Sequence, residues 1–155
     1  MLQPAAGGAG DRDAVCVVVD ADRLTGPGFP TDRPVVLLLT APASLPVPPG
    51  VEPRLVSPAD SPPDYRVKNL YEPSVADESD RVRWSLAEHR NGRIEFPSHG
   101  GLGFRAVQAK RAGLAFADTE LVVRFDGAAQ LDREAAERWP ANPDELERDH
   151  MERFA

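Results

Sequence analysis

Two continuous runs of β-branched and aliphatic residues, Val15 to Val19 and Val35 to Leu39, stand out from a chain that is otherwise broken by proline and charge. Continuous apolar runs, in place of alternation, mark strands covered on both faces, so both are predicted as central strands. Between them Thr25-Gly26-Pro27-Gly28-Phe29-Pro30 is turn chemistry with no room for a helix, which predicts a hairpin or tight loop. From Ala41 to Pro63 eight prolines leave only Arg54-Leu55-Val56 as a short strand in an ordered loop or edge. A helix is predicted from Ser79 or Asp80 to about Arg90. Ser79 is its expected cap, Val82 and Leu86 share one face, and Gly92 stops it, with Tyr71 and Val75 as earlier members of the same layer.

The most informative stretch follows. Ile94 to Phe96 reads as a strand, Gly100-Gly101-Leu102-Gly103 as a turn, Leu102 or Gly103 to Ala112 as a helix with Gly113 at C′, and Leu121 to Phe125 as a second strand. Strand, glycine turn, helix and strand in that order make a parallel βαβ unit. Its turn lies at a strand's carboxyl end, where open α/β sheets carry their sites. After Gly127 the chain turns polar. Asn142-Pro143-Asp144-Glu145 then starts a helix with a cap, a proline at the first position and acids against its positive end. Leu146, Met151 and Phe154 are its expected buried face, and the chain reads as the front half of something longer.

The pattern therefore predicts one α/β domain over residues 14–155, Rossmann-like, with three layers and a mostly parallel sheet, behind a disordered Gly/Ala/Asp-rich leader at 1–13. A chain of 155 residues holds one such domain and not two. The net charge of −7 argues against a nucleic-acid partner, which needs clustered Lys and Arg. The longest apolar run is too short to cross a bilayer, so no transmembrane segment is expected. With no signal peptide, a single cysteine, Cys16, in an apolar run, and no zinc-like spacing among His89, His99 and His150, the expectation is a cytoplasmic chain with neither metal nor disulfide.

Within the glycine turn the residues leave two readings open. The glycines either permit a sharp turn and close packing, or they bring backbone N–H groups against a ligand. The run is not a G-x-G-x-x-G fingerprint, since Ala106 occupies the last position and no acid follows a strand at the usual distance of about 20 residues. His99 is accordingly a loop histidine or a ligand contact, and Glu95 a solvent-facing carboxylate or an acid turned to the site. Asp20 and Asp22 are too few for a cation motif. Lys110 and Arg111 read as a solvated helix face, and Trp84 and Trp139 as packing at a layer edge.

The run from Ile94 to Gly127 resembles the N-terminal domain of retaining GT-B glycosyltransferases of the glycogen synthase and sucrose synthase superfamily, family four. The resemblance rests on Glu95-Phe96-Pro97, Gly100 to Gly103, Ala109-Lys110-Arg111 with Gly113-Leu114-Ala115-Phe116, Thr119, Leu121 to Val123 and Asp126-Gly127. The tail Leu146 to Ala155 resembles the "ER-A" helix of that domain.

The resemblance implies a two-domain enzyme of hexosyltransferase type, of which this chain is the acceptor-binding half. It implies a nucleotide-sugar donor as co-substrate with no other cofactor, a small-molecule acceptor, and a C-terminal donor-binding domain or subunit as partner. The isolated chain is then expected to be inactive, and no residue is assigned a catalytic role. The implied substrate-binding residues are Glu95, His99, Gly100, Gly101, Gly103 and Asp126. Asp126 stands where the relatives carry histidine, and no glycine-rich loop follows the first strand. The alternative is a non-catalytic Rossmann-like binding or assembly module that has kept the fold.

Overall fold

In the computed structural model, residues 14–19, 35–40, 51–56, 75–87, 92–125 and 127–155 are described. They form strands β1 (Val15–Val19), β2 (Val35–Leu39) and β3 (Val51–Leu55), helix α1 (Val75–Ala87), strand β4 (Arg93–Pro97), helix α2 (Phe104–Arg111), strand β5 (Glu120–Arg124), and helices α3 (Ala129–Ala135) and α4 (Pro143–Phe154). The five strands make one sheet in the order β3-β2-β1-β4-β5, with every neighbouring pair parallel. This α/β arrangement is compatible with a Rossmann-like domain.

The expected hairpin after β1 is wrong. Val15 pairs with Val35 and Val19 with Leu39 in parallel register, so the chain must return to the amino edge before β2, which a tight turn cannot do. The connecting residues 20–34 lie outside the described residues, as do the leader, Tyr71, His89 and the Asp20/Asp22 pair. β3 begins earlier than expected and contains Pro53. A proline is tolerated there because, among the described residues, β3 is a sheet edge paired with β2 alone.

One face of the sheet builds the core. Cys16, Val18, Leu38, Ile94 and Phe96 are buried there against Val82 and Leu86 of α1 and Leu102 and Ala106 at the start of α2, with Leu121 and Val123 packed alongside. A strand turns successive side chains to opposite faces, so Arg93, Glu95 and Arg124 stand on the other side, the side of Val15 and Val17. Val15 and Val17 are buried as well, as expected for a central strand.

Helix α1 starts at Val75, four residues before the predicted cap, so Ser79 lies inside it. Its fully buried hydroxyl serves another helix. It donates to the Leu102 carbonyl and accepts the Arg105 N–H, each at 3.0 Å. Gly103, the N-cap of α2, has no side chain to do this. Helix α2 ends as expected at Gly113, with φ +69. The Gly113 and Leu114 N–H groups bond back to Lys110 and Ala109 in a Schellman motif.

Lys110 is not on a solvated face, whereas Arg111 is exposed. The Lys110 ammonium donates to the carbonyls of Phe116 (2.8 Å), Ala117 (3.2 Å) and Thr119 (2.7 Å). It thus holds the loop before β5, in which Phe116 takes the left-handed φ of +61. Lys110→Met, which keeps the stem and removes the donor, is expected to destabilise the fold by about 1 kcal/mol. Urea denaturation measures it, and an unchanged midpoint would mean that water replaces the ammonium at no cost.

Two further expectations change. Trp139 is 90 % exposed instead of packed at a layer edge, and in α4 only Met151 is buried, while Leu146 and Phe154 are exposed. Leu146 and Met151 lie five residues apart, about 140° around a helix, and cannot share a narrow face. Helix α3 was not predicted. Its start carries no side-chain cap of its own.

Candidate functional site at the carboxyl edge of the sheet

The chain leaves β1 toward β2 and β3 on one side and returns to β4 and β5 on the other. The strand order therefore reverses between β1 and β4, the position at which open parallel sheets form a crevice at their carboxyl edge. The residues that follow β4 are Ser98, a 3-10 turn His99–Gly101, then Leu102 and Gly103 leading into α2. Ser98 is buried and ties this turn to the end of β5. Its N–H donates to the Arg124 carbonyl at 2.8 Å, and its hydroxyl donates to the Gly127 carbonyl at 2.7 Å.

The three glycines do different work. Gly100 and Gly101 have φ of +81 and +64, the left-handed region that favours glycine. Around Gly100 there is room for a side chain, the nearest atom to a Cβ there being Leu102 Cγ at 4.0 Å. A Cβ on Gly101 would lie 2.5 Å from Met151 Cβ, and one on Gly103 would lie 2.8 Å from Phe96 Cγ. The turn is the seat on which α4 rests.

Glu152, next to Met151, completes that seat. One carboxylate oxygen accepts the Gly100 N–H at 2.6 Å, and the other accepts the Ala129 N–H at the start of α3 at 2.8 Å. A side chain from α4 thus satisfies two backbone donors that a local cap would otherwise take. Arg133, buried on α3, pairs with Asp149 of α4 and holds the two helices together.

Of the sequence-predicted site residues, the structure brings His99, Gly100, Gly101 and Gly103 to this edge and leaves Glu95 in the middle of β4, on the face opposite the core, while Asp126 lies outside the described residues. His99 is half-buried on the turn. Glu95 is not solvent-facing; its side chain is 8 % exposed and shared by two arginines. Arg93 Nε reaches Oε1 at 2.9 Å, and Arg124 Nε lies 3.5 Å from Oε2. Arg93 also reaches Glu120 at 3.2 Å. A carboxylate held this way orients guanidinium groups.

Away from the edge, burial pushes the Asp80 carboxyl up, against the opposing pull of Arg105 and Arg83. Asp80 lies between α1 and α2, 3.7 Å from Arg105 Nε. Among the described residues no cluster of three or more His, Cys, Asp or Glu is placed to hold a metal ion. No described helix is long and apolar enough to cross a membrane.

Sequence reasoning missed Arg124 and Glu152. Arg124 carried a signal, as a charged residue ending a strand beside Asp126-Gly127. Glu152 had none, because its partners are 52 and 23 residues away. Compared with protein-family models, with curated proteins and with solved structures, the chain matches none.

Proposed function

We propose that this chain is the acceptor-binding half of a GT-B glycosyltransferase of hexosyltransferase type. In this reading it acts together with a donor-binding domain or subunit that carries the nucleotide sugar. One observation carries it. The two segments that resemble family four, the glycine turn and the "ER-A" tail, are some fifty residues apart in sequence yet meet in one contact, Gly100 with Glu152 and Gly101 with Met151. Two motifs that fit each other physically are better support than either alone.

The parallel sheet with a turn at its switch point supports the same reading, since that edge is where an acceptor would lie. In this reading His99 and the end of β5 border the acceptor, Glu95 orients Arg124 toward it, and Asp126 stands where the family's histidine does. Glycosyl transfer would follow when the donor domain closes over this edge, with the leaving diphosphate stabilised on the donor side.

The filled state of the turn favours a second reading, a binding or assembly module without catalysis. With the Gly100 N–H given to Glu152 and Gly101 packed on Met151, these two residues already have internal partners.

A single experiment separates the two. The chain is titrated with a panel of nucleotide sugars and saccharide acceptors, alone and with a family-four donor domain joined or mixed, and both binding and sugar transfer are measured. The proposal expects acceptor binding by the chain alone and transfer only with the donor domain. Acceptor binding without transfer in any pairing would leave the binding module, and no saccharide binding would remove the glycosyltransferase reading.

A further inference from the structure

Arg124 is the last residue of β5, opposite Pro97 in register, and its carbonyl is bonded to Ser98 next to His99. Its backbone therefore ends at the carboxyl edge just described, and its side chain lies on the sheet face of Glu95. The arginine pair around Glu95 is unequal. Arg93 makes a close bond to Glu95 at 2.9 Å and a second ion pair with Glu120, and so has two carboxylate partners. Arg124 makes a longer ion pair with the shared carboxylate, its Nε 3.5 Å from Oε2, and its side chain is 38 % exposed. Among the described residues its two terminal nitrogens make no hydrogen bond.

A guanidinium tethered to a buried carboxylate, with two parallel donors unused, is prepared for bidentate recognition of a carboxylate or phosphate. The tether matters because the rotamer cost of holding a long side chain is met in the free protein, so less affinity is lost on binding. It also keeps the positive group in place on a chain whose net charge is −7.

We infer that Arg124 is a specificity residue that selects an acceptor bearing an anionic group, a carboxylate or a phosphate. The inference rests on the glycosyltransferase reading for the word acceptor, and on the geometry of Arg124 for the word anionic. Glu95 is then a positioning residue, acting through Arg124 and not on the ligand.

The test titrates the ¹⁵N-labelled chain separately with glucuronate, glucose and inorganic phosphate, following backbone amides. The variants are Arg124→Gln, Arg124→Lys and, as a control on an exposed helix, Arg111→Gln. Glucuronate or phosphate is expected to shift the Ser98, His99 and Gly127 amides, and glucose to bind about tenfold more weakly or not at all. Arg124→Gln should lose at least about tenfold in anion affinity, and Arg124→Lys, which keeps charge but not the fork, should lose part of it. Arg111→Gln should match the wild type, and added salt should weaken anion binding throughout.

Equal binding of glucose and glucuronate, or anion binding unchanged in Arg124→Gln, overturns the inference while leaving a saccharide acceptor in place. Phosphate binding that depends on Arg124, with no saccharide bound, upholds the anion site and removes the glycosyltransferase reading. No anion binding by the wild type overturns the inference outright. Should Arg124→Gln not fold, the Arg124→Lys affinity and its salt dependence decide the matter. A merely structural ion pair predicts a stability change with the anion affinity of Arg124→Lys unaltered.

Discussion

Gly101→Ala is expected to destabilise the fold by about 3 kcal/mol and to release α4 from the sheet edge. Two costs add. An alanine held at φ +64 is strained by about 1 kcal/mol relative to glycine. The new methyl would also sit 2.5 Å from Met151 Cβ, 3.2 Å from the Met151 carbonyl carbon and 3.3 Å from Glu152 N. Two of those three atoms are backbone, so no rotamer change relieves the clash, and α4 itself must move; overpacking of this kind costs about 1–3 kcal/mol.

If α4 moves, the burial of Met151 and both hydrogen bonds of Glu152 go with it. Gly100→Ala is the internal control. Its φ is +81, but the nearest atom is 4.0 Å away, so only the conformational cost of about 1 kcal/mol applies. Urea midpoints for the two variants, with amide exchange along α4, measure the difference. Equal midpoints would mean that α4 is not seated on Gly101, and with that the contact between the two family-like segments would lose its weight.

The parts of this fold legible in the sequence are those whose signals are local. The β-branched runs at 15–19 and 35–39, the strand and helix around the glycine turn, the Gly113 stop and the Asn142-Pro143 start all announce themselves within a few residues. Asn142 accepts the Glu145 N–H at 3.0 Å as a local cap should. The misreadings share one physical cause. Ser79 looked like the cap of its own helix, but its hydroxyl crosses to α2. Helix α3 was invisible because its first donor is satisfied by Glu152 from α4. Lys110 looked solvated, although its partners are the carbonyls of a loop whose shape the sequence does not declare.

Pairing direction was lost for the same reason. Nothing between Val19 and Val35 says which way the second strand runs, and only the register of the sheet does. At the site, the residue types were legible and their states were not. Glu95 could be singled out as an acid at a strand end, but its burial between Arg93 and Arg124 depends on β5 lying beside β4.

Ser79→Ala is expected to cost about 2 kcal/mol although it removes a single oxygen from the middle of a helix, where alanine is the better helix former. The hydroxyl is fully buried and bonds on both sides, to the Leu102 carbonyl and from the Arg105 N–H. Alanine leaves a part-buried donor and a buried acceptor without partners, and that penalty exceeds the few tenths of a kcal/mol gained in propensity. The loss should fall on α2, not on α1. Amide exchange at Arg105 should quicken, as should exchange at its neighbours in the first turn of α2, while the α1 amides keep their protection until global unfolding. The opposite pattern, with α1 loosened and Arg105 unchanged, would return Ser79 to its own helix. Because α2 begins at the glycine turn, the same hydroxyl helps fix where Gly103 and the residues before it stand. A damaged cap should therefore also loosen the edge that carries His99 and adjoins Arg124.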